Sequence, residues 1–231
     1  IGADAMIALI VAAALHAALG PSRVLPRIGA GALAACLLWV HGVYASIRTH
    51  DNVKGWADHS HAEARWVREA ELDDTRVAAQ QVFVIASVDW ISQAALPTFL
   101  HSQGRSVPLR SHLLSGGSAQ AHVLDRISDR VLDIYMLGAG MDGTFSGSAY
   151  RGSENPFHGG EQVSLPEFSV QVVSVSRGQP SCLRFSFNRS VNDPSNVFLY
   201  GYKNGLRQPT MPSVGTSISL PHPSLPHFDA R

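Results

Sequence analysis

The chain has 231 residues, of which 18 are basic and 18 are acidic, so its formal net charge at pH 7 is zero. Because there is no basic excess to displace counterions from a phosphate backbone, the composition argues against a nucleic-acid partner. Charged residues make up only 16% of the chain, which is below the roughly 25% of an average soluble domain. The deficit is concentrated at the N-terminus.

Two apolar runs occupy the N-terminal region, since residues 5–22 and 28–47 contain no Asp, Glu, Lys or Arg. A helix that crosses the hydrocarbon of a bilayer needs about 20 apolar residues. We therefore expect residues 1–50 to form hydrophobic helices that lie in a membrane or in the core of a filament. Three arrangements fit this pattern: a transmembrane hairpin, one long interrupted helix, or a signal-type segment followed by a single anchor.

A few residues of these runs are candidates for helix breaks or helix packing. Gly20-Pro21 ends or kinks a helix, because proline removes an amide donor and clashes with the preceding turn. Gly29 and Gly31 are small enough to let neighbouring helices approach closely. The predicted set of assembly residues is Gly20, Pro21, Gly29, Gly31 and Trp39, the aromatic residue that precedes Val40.

A charged and then apolar stretch follows the two runs. Its apolar residues from Trp66 to Val84 recur near helical spacing, and Asp58 is placed to cap the N-terminus of a helix. Pro97 stops the pattern, since proline does not fit a helix interior. We therefore predict one long amphipathic helix from Asp58 through about Ala95.

A second helix is predicted over residues 118–137. Val123, Ile127 and Val131 repeat every four residues, as the apolar stripe of a helix does. Residues 138–160 are rich in Gly and Ser and fit no regular element, so we expect a long loop there, and such loops are often functional or mobile.

The period then changes from helical spacing to two. Residues 168–176, 182–190 and 197–202 alternate apolar and polar side chains and are separated by turn residues, which is typical of strands. Asn204-Gly205 suits the tight turn of a hairpin. These segments predict an antiparallel meander of three or four strands.

Together these elements predict an α+β fold in which a hydrophobic N-terminal helix or helical hairpin forms an anchor, and an amphipathic helix packs on an antiparallel β-sheet. The expected organisation is an anchor at residues 1–50, a soluble extracytoplasmic domain at 51–220 and a proline-rich tail at 221–231. The anchor implies membrane lipid as one partner.

Few residues indicate chemistry. His59, His61 and Glu63 resemble a metal-ligand cluster, but on a helix the two histidines point about 200° apart. The glycine patterns match neither a phosphate-binding loop nor a nucleophile elbow. Cys36 and Cys182 lie in segments that are not expected to meet, so we predict no internal disulfide. The sequence predicts no metal, no cofactor and no enzymatic activity.

One segment resembles the C-terminal half of type IVb pilins. The similar features are Asn155, an aromatic residue and Gly159-Gly160 at the entry to the sheet, then a strand over 168–176, and then a proline shortly before Cys182. Gly20-Pro21 also lies about where pilin helices are locally broken. The resemblance implies a leader sequence upstream of the first residue and a subunit that self-associates in a type IV pilus-like assembly.

The functional prediction is therefore a membrane-anchored, pilin-like structural subunit of a cell-surface assembly, with its soluble domain in the periplasm or outside the cell. One alternative is a two-helix membrane component of a secretion or envelope complex, whose soluble domain binds partner proteins. Another is an anchored hydrolase that uses the Gly/Ser-rich loop.

Overall fold

The computed structural model describes residues 45–87, 95–115, 121–137, 151 and 154–223, together with the single positions 13, 16, 32, 35, 36, 39 and 40; the side chains of Trp56 and His59 are not among the described parts. The chain divides into two units, Ile1–Ser60 and His61–Arg231. Along the described chain the elements are α1 (Ala45–Arg68), a 3₁₀ turn (Val77–Ala79), β1 (Gln81–Ala86), α2 (Leu96–Ser102), β2 (Arg110–Ser115), β3 (Ala121–Arg126), β4 (Val131–Leu137), β5 (Gln162–Ser164), β6 (Phe168–Ser176), β7 (Gln179–Phe187), β8 (Asn196–Tyr202), β9 (Gly205–Arg207) and β10 (Ser217–Leu220).

The strands form two sheets. The first sheet has the order β2-β1-β8-β9, in which β1 runs parallel to both β2 and β8, and β9 is antiparallel to β8. The second sheet has the order β10-β3-β4-β7-β6-β5 and is antiparallel throughout. The register of β1 with β8 pairs Gln81 with Asn196, and so brings the amino ends of these two strands together.

The first sheet is covered on both faces. One face packs against the second sheet in a phenylalanine-rich core, in which the ring centroid of Phe83 lies 5.1 Å from that of Phe187 and 5.2 Å from that of Phe198. The other face packs against helices, where Val82 and Val84 share a cluster with Trp66 and the α2 leucines. Alternate residues of β1 thus enter two different apolar cores, which explains why the strand has no polar face.

The expected fold class, an N-terminal apolar anchor followed by an amphipathic helix on an antiparallel sheet, is wrong. Strands in two sheets dominate the described chain, and the first of these sheets is largely parallel. The 24-residue helix α1 is polar and includes Asp51, Lys54 and Asp58. Within the described residues no helix is both long enough and apolar enough to cross a membrane. Four predicted assembly residues lie outside the described residues: Gly20, Pro21, Gly29 and Gly31.

A strand replaces the C-terminal half of the helix predicted from Asp58 to Ala95. Helix α1 ends at Arg68, and strand β1 begins at Gln81. Five consecutive residues of β1 are buried, and spacing alone does not distinguish such a run from a buried helix. The β-branched residues of this run favour the strand. Asp58 lies inside α1 and does not cap it.

A hairpin of β3 and β4 replaces the helix predicted over residues 118–137. Positions four apart share a face on a helix and also on a strand, so the repeat of Val123, Ile127 and Val131 fits both structures. Ile127 lies in the turn between the strands and is 43% exposed, whereas Leu132 and Ile134 are fully buried. The alternation of the buried apolar residues of β4, Leu132, Ile134 and Met136, was therefore hidden behind an apparent helical repeat.

The strands predicted from period-two alternation are confirmed as β6, β7 and β8. The hairpin predicted at Asn204-Gly205 is also present, since Tyr202 pairs with Gly205, which has φ +115°. The predicted meander, however, ends after β7. Strand β8 leaves the antiparallel sheet and pairs with β1 in the parallel one.

Candidate functional site

A recess of about 350 Å³ lies at the amino ends of β1 and β8. Three segments meet there because those strands are parallel neighbours: the turn that precedes β1, the turn that precedes β8, and the chain that follows β9. We call this recess the amino-end cleft. Its lining residues are Asp73, Arg76, Gln80, Val191, Asn192, Asp193, Pro194, Asn196, Val197, Phe198, Gln208, Pro209 and Met211.

Two aspartates of the cleft are fixed by the same local motif. Asp73 Oδ1 accepts hydrogen bonds from Thr75 N at 3.0 Å and from Thr75 Oγ1 at 2.6 Å. Asp193 Oδ1 accepts from Ser195 N at 2.8 Å and from Ser195 Oγ at 2.6 Å. In both turns an Asp hydrogen-bonds the residue two positions on, and in the second the intervening Pro194 restricts φ. Each turn holds its carboxylate in place through one of its two oxygens.

These hydrogen bonds also favour the charged form of both carboxylates. The hydroxyl of Thr75 is the main cause that lowers the pKa of Asp73, with a smaller contribution from the positive charge of Arg76. The hydroxyl of Ser195 lowers the pKa of Asp193 in the same way. Hydrogen bonds donated to a carboxylate stabilise the ionised state. Both groups are therefore negatively charged at neutral pH.

The walls of the cleft are tied together by further hydrogen bonds. Gln80 Nε2 donates to the carbonyl of Pro194 at 2.6 Å and so joins the two turns. Arg105 pairs with Asp74 at 3.0 Å, directly beside the first turn. Gln208 N donates to Glu71 Oε2 at 3.0 Å and fixes the third segment. The cleft is thus a preformed recess.

The lining of the cleft is mainly polar, and Val191, Val197 and Phe198 lie buried behind it. Met211 is partly exposed and gives the lining an apolar group beside its charged side chains. This combination suits a ligand with an aliphatic stem and a cationic head, which is the chemistry of arginine and lysine. Arg76 adds one positive group to the lining, and a guanidinium donates to carbonyl or carboxylate oxygens.

A second polar group, buried between the sheets, has the residue types of a nucleophile and its base. Ser115 Oγ lies 3.0 Å from His122 Nε2, and His122 Nδ1 lies 3.0 Å from the Tyr200 hydroxyl. A nucleophilic serine must give its proton to the histidine. Here Ser115 Oγ donates its proton to the carbonyl of Ile85 at 2.6 Å, so the hydroxyl is not oriented to give that proton to His122.

This group connects the two sheets. Ser115 and Tyr200 belong to the first sheet and His122 to the second, while the Tyr200 hydroxyl donates to the carbonyl of Pro221 beyond β10. Burial raises the pKa of Tyr200, which keeps its hydroxyl protonated as a donor. We interpret the group as a polar connection across the core, with each hydroxyl bonded to a backbone carbonyl.

The residues selected from the sequence do not form a site in the described structure. Trp39 is 63% exposed, and His59 and His61 both fall within α1. No group of three or more metal-ligating side chains occurs among the described residues. Cys36 and Cys182 are free thiols, and burial is the main cause that raises the pKa of Cys182 to about 11.

Sequence reasoning missed the amino-end cleft. The Asp-Asp-Thr and Asp-Pro-Ser motifs at 73–75 and 193–195 are recognisable turn signals. Their proximity depends on the parallel pairing of β1 with β8, and no local pattern indicates that pairing. Comparison with protein-family models, with curated proteins and with solved structures gave no match. A functional assignment therefore rests on the geometry of the site.

Proposed function

We propose that this chain is a non-catalytic, partner-binding component of a multi-protein assembly, and that the amino-end cleft holds a basic side chain of the partner. The observation that carries the proposal is the pair of aspartates, Asp73 and Asp193. They line one preformed recess, and their hydrogen bonds favour the charged state.

The energetics favour a cationic guest. A single exposed ion pair contributes only about 0.2–1 kcal/mol. Two carboxylates in one recess add their contributions, reduced by the repulsion of Arg76 in the same lining, and they need no further ordering because both turns are already formed. The aliphatic stem of an arginine or lysine contributes roughly 25 cal/mol for each Å² of apolar surface that it buries against apolar groups of the lining such as Met211. Such a contact is one anchor within a larger interface.

The proposal agrees with the predicted alternative in which the soluble domain binds partner proteins of a secretion or envelope complex. The pilin-like role, the contact with membrane lipid, self-association and the extracytoplasmic location all stay predictions from the sequence. The hydrolase alternative depended on the Gly/Ser-rich loop, most of which lies outside the described residues.

The test uses a matched pair of small probes on the full chain. N-acetyl-arginine amide carries the guanidinium, and N-acetyl-citrulline amide has nearly the same shape without the charge. Binding is followed by chemical shifts of the isotope-labelled protein. We expect the arginine probe to bind at least about tenfold more tightly, which corresponds to about 1.4 kcal/mol. Equal affinity for both probes would contradict the proposal.

Variants of the aspartates locate the binding site. Asparagine keeps the side-chain oxygen that accepts the turn hydrogen bonds but removes the charge. The double variant Asp73→Asn/Asp193→Asn should therefore keep its fold and lose the preference for the arginine probe. Asp125→Asn, on β3 of the second sheet, is the control and should bind as the parent does. Unchanged preference in the double variant would place the guest elsewhere.

A further inference from the structure

The amino-end cleft offers more hydrogen-bond acceptors than its two negative charges alone indicate. Asp73 and Asp193 each use Oδ1 to accept from the residue two positions on, Thr75 and Ser195 respectively. Neither Oδ2 takes part in a hydrogen bond or an ion pair with another described residue. A carboxylate oxygen that lines a recess and has no partner is able to accept from a guest.

Two arginines lie near these carboxylates without pairing with them. After the hydroxyls of the two turns, the positive charges of Arg76 and Arg189 also lower the pKa of Asp73 and of Asp193, respectively. Arg189 Nη1 donates to Ser195 Oγ at 3.0 Å, and so holds the hydroxyl that fixes Asp193. Within the part of the chain that the structure describes, neither arginine forms an ion pair with either aspartate. The second oxygen of each carboxylate therefore stays available to a guest.

Gln80 supplies a third acceptor from a side chain that is almost completely buried. The residue is 8% exposed, and its Nε2 donates to the carbonyl of Pro194 at 2.6 Å. Its Oε1 has no hydrogen-bond partner among the described residues, yet it is not one of the unpaired polar atoms that are sealed from solvent. The oxygen is therefore open to the cleft that Gln80 lines. A buried amide with one free acceptor at the wall of a recess indicates a donor in the guest.

Gln208 adds a fourth acceptor from the chain that follows β9. Its backbone N donates to Glu71 Oε2 at 3.0 Å, and its Nε2 donates to the carbonyl of Glu71 at 3.1 Å. Since the amide nitrogen is engaged, Oε1 is the atom that remains, and it has no partner in the described structure. The lining thus presents two carboxylate oxygens and two amide oxygens, which come from the three segments that meet at the cleft.

From these four acceptors we propose that the cleft selects arginine over lysine in its partner, and that Gln80 and Gln208 determine this specificity. An ammonium carries three N–H donors on one atom, whereas a guanidinium spreads five over a planar fork. An ammonium therefore leaves at least one of the four acceptors without a donor, and a guanidinium has enough donors for all of them. The selectivity rests on the assignment of the cleft to a basic side chain and names which basic side chain it is.

The experiment compares N-acetyl-arginine amide with two probes of equal charge, N-acetyl-lysine amide and the asymmetrically dimethylated N-acetyl-arginine amide. The side chains of both comparison probes have only three N–H donors. Chemical shifts of the isotope-labelled full chain follow the binding. We expect the arginine probe to bind at least about tenfold more tightly than either, as two further hydrogen bonds would give.

The outcomes separate the selectivity from the proposed function. Equal affinity of the arginine probe and either comparison probe, with the citrulline probe weaker than all three, would overturn the selectivity and leave the cationic guest in place. Equal affinity of the arginine and citrulline probes would overturn both.

Variants of the two glutamines assign the selectivity. Gln208→Met, at an exposed position, keeps the backbone hydrogen bond to Glu71 and the length of the side chain but removes the acceptor. It should reduce the preference for arginine over lysine by at least about threefold. Gln80→Met should do the same, and because it also removes the link to Pro194, Gln208→Met is the decisive variant. Gln162→Met, on the exposed strand β5, is the control and should leave the preference unchanged. A preference that survives Gln208→Met at full strength would contradict the assignment.

Discussion

The two sheets of this molecule are buried to different extents. The first sheet lies between the helices and the second sheet, so that β1 is buried on both faces. The second sheet buries one face against the first and exposes part of the other, where Tyr135 and Leu137 are 37% and 51% exposed. The comparison shows where charged residues are placed: at the ends of the strands in the first sheet, and along the strands in the second.

The same contrast explains the positions of the polar features. In the first sheet the amino ends of β1 and β8 lead into turns, and those turns form the cleft. In the second sheet a buried Asp133 on β4 receives two hydrogen bonds from Arg184 on β7, at 2.8 and 2.7 Å. The first sheet thus has a recess at the amino ends of its two central strands, and the second sheet has a charged pair on its face.

The largest expected effect concerns the helical cover of the first sheet. Trp66 is 1% exposed, and its Nε1 donates to the carbonyl of Tyr202 at 2.8 Å. Trp66→Ala should lower the free energy of unfolding by about 3–5 kcal/mol, because it leaves a cavity and an unpaired carbonyl. Denaturant unfolding measures the loss. Trp39→Ala, at a 63% exposed position, is the control and should change stability by less than about 0.5 kcal/mol. Equal losses would mean that the cover is not what stabilises the sheet.

A smaller loss is expected on the face of the second sheet. The Asp133 side chain is 1% exposed, whereas that of Arg184 is 38% exposed. Arg184→Ala leaves the buried carboxylate without its charged donor and should cost about 1.5–3 kcal/mol. Thermal unfolding is a suitable measurement, with Arg130→Ala in the exposed β3–β4 turn as control. A loss no larger than that of the control would show that water replaces the arginine at this face.

The contrast between the sheets also decides how much the sequence could predict. Strands β6 and β7 are only partly buried on one side, so their polar and apolar residues alternate and show a period of two. Strand β1 has no exposed side, and its continuous apolar run fits a buried helix as well as a strand. The repeat of Val123, Ile127 and Val131 misled for another reason, because a spacing of four fits both kinds of element.

Long-range pairing limited the prediction of the site. Asp73 and Asp193 each lie in a turn that its own sequence indicates. Their meeting requires β8, which follows two antiparallel strands, to leave that sheet and lie beside β1. A parallel pair needs a connection that passes through other elements, and nothing within the local window of β8 specifies its neighbour. The two turns could therefore be predicted from the sequence, whereas their meeting in one recess could not.

The close contact between helix and first sheet gives the next prediction. A Cβ added to Gly201 of β8 would lie 2.7 Å from the Trp66 ring and 3.3 Å from the carbonyl of Ala86. Because a buried indole and a backbone strand cannot both shift freely, Gly201→Ala should cost about 1–3 kcal/mol in unfolding free energy. Gly55→Ala in α1, where a Cβ meets nothing within 4 Å, should instead stabilise by about 0.5–1 kcal/mol. Opposite signs of the two changes in chemical denaturation would confirm the tight packing at Gly201.

The smallest expected effect concerns pH. The affinity of the cleft for its cationic probe should stay nearly constant between pH 7 and pH 5. The pKa values of Asp73 and Asp193 lie below the usual 3.8 because of the hydroxyls of Thr75 and Ser195. The charged forms are therefore complete above that value and are lost only as the pH falls through the lowered pKa values. Affinity for N-acetyl-arginine amide should change less than about twofold between pH 7 and pH 5 and should decline only below pH 3.8. A decline that begins near pH 6 would assign the binding to a histidine, and the cleft would then lose its role as the anchor of the partner.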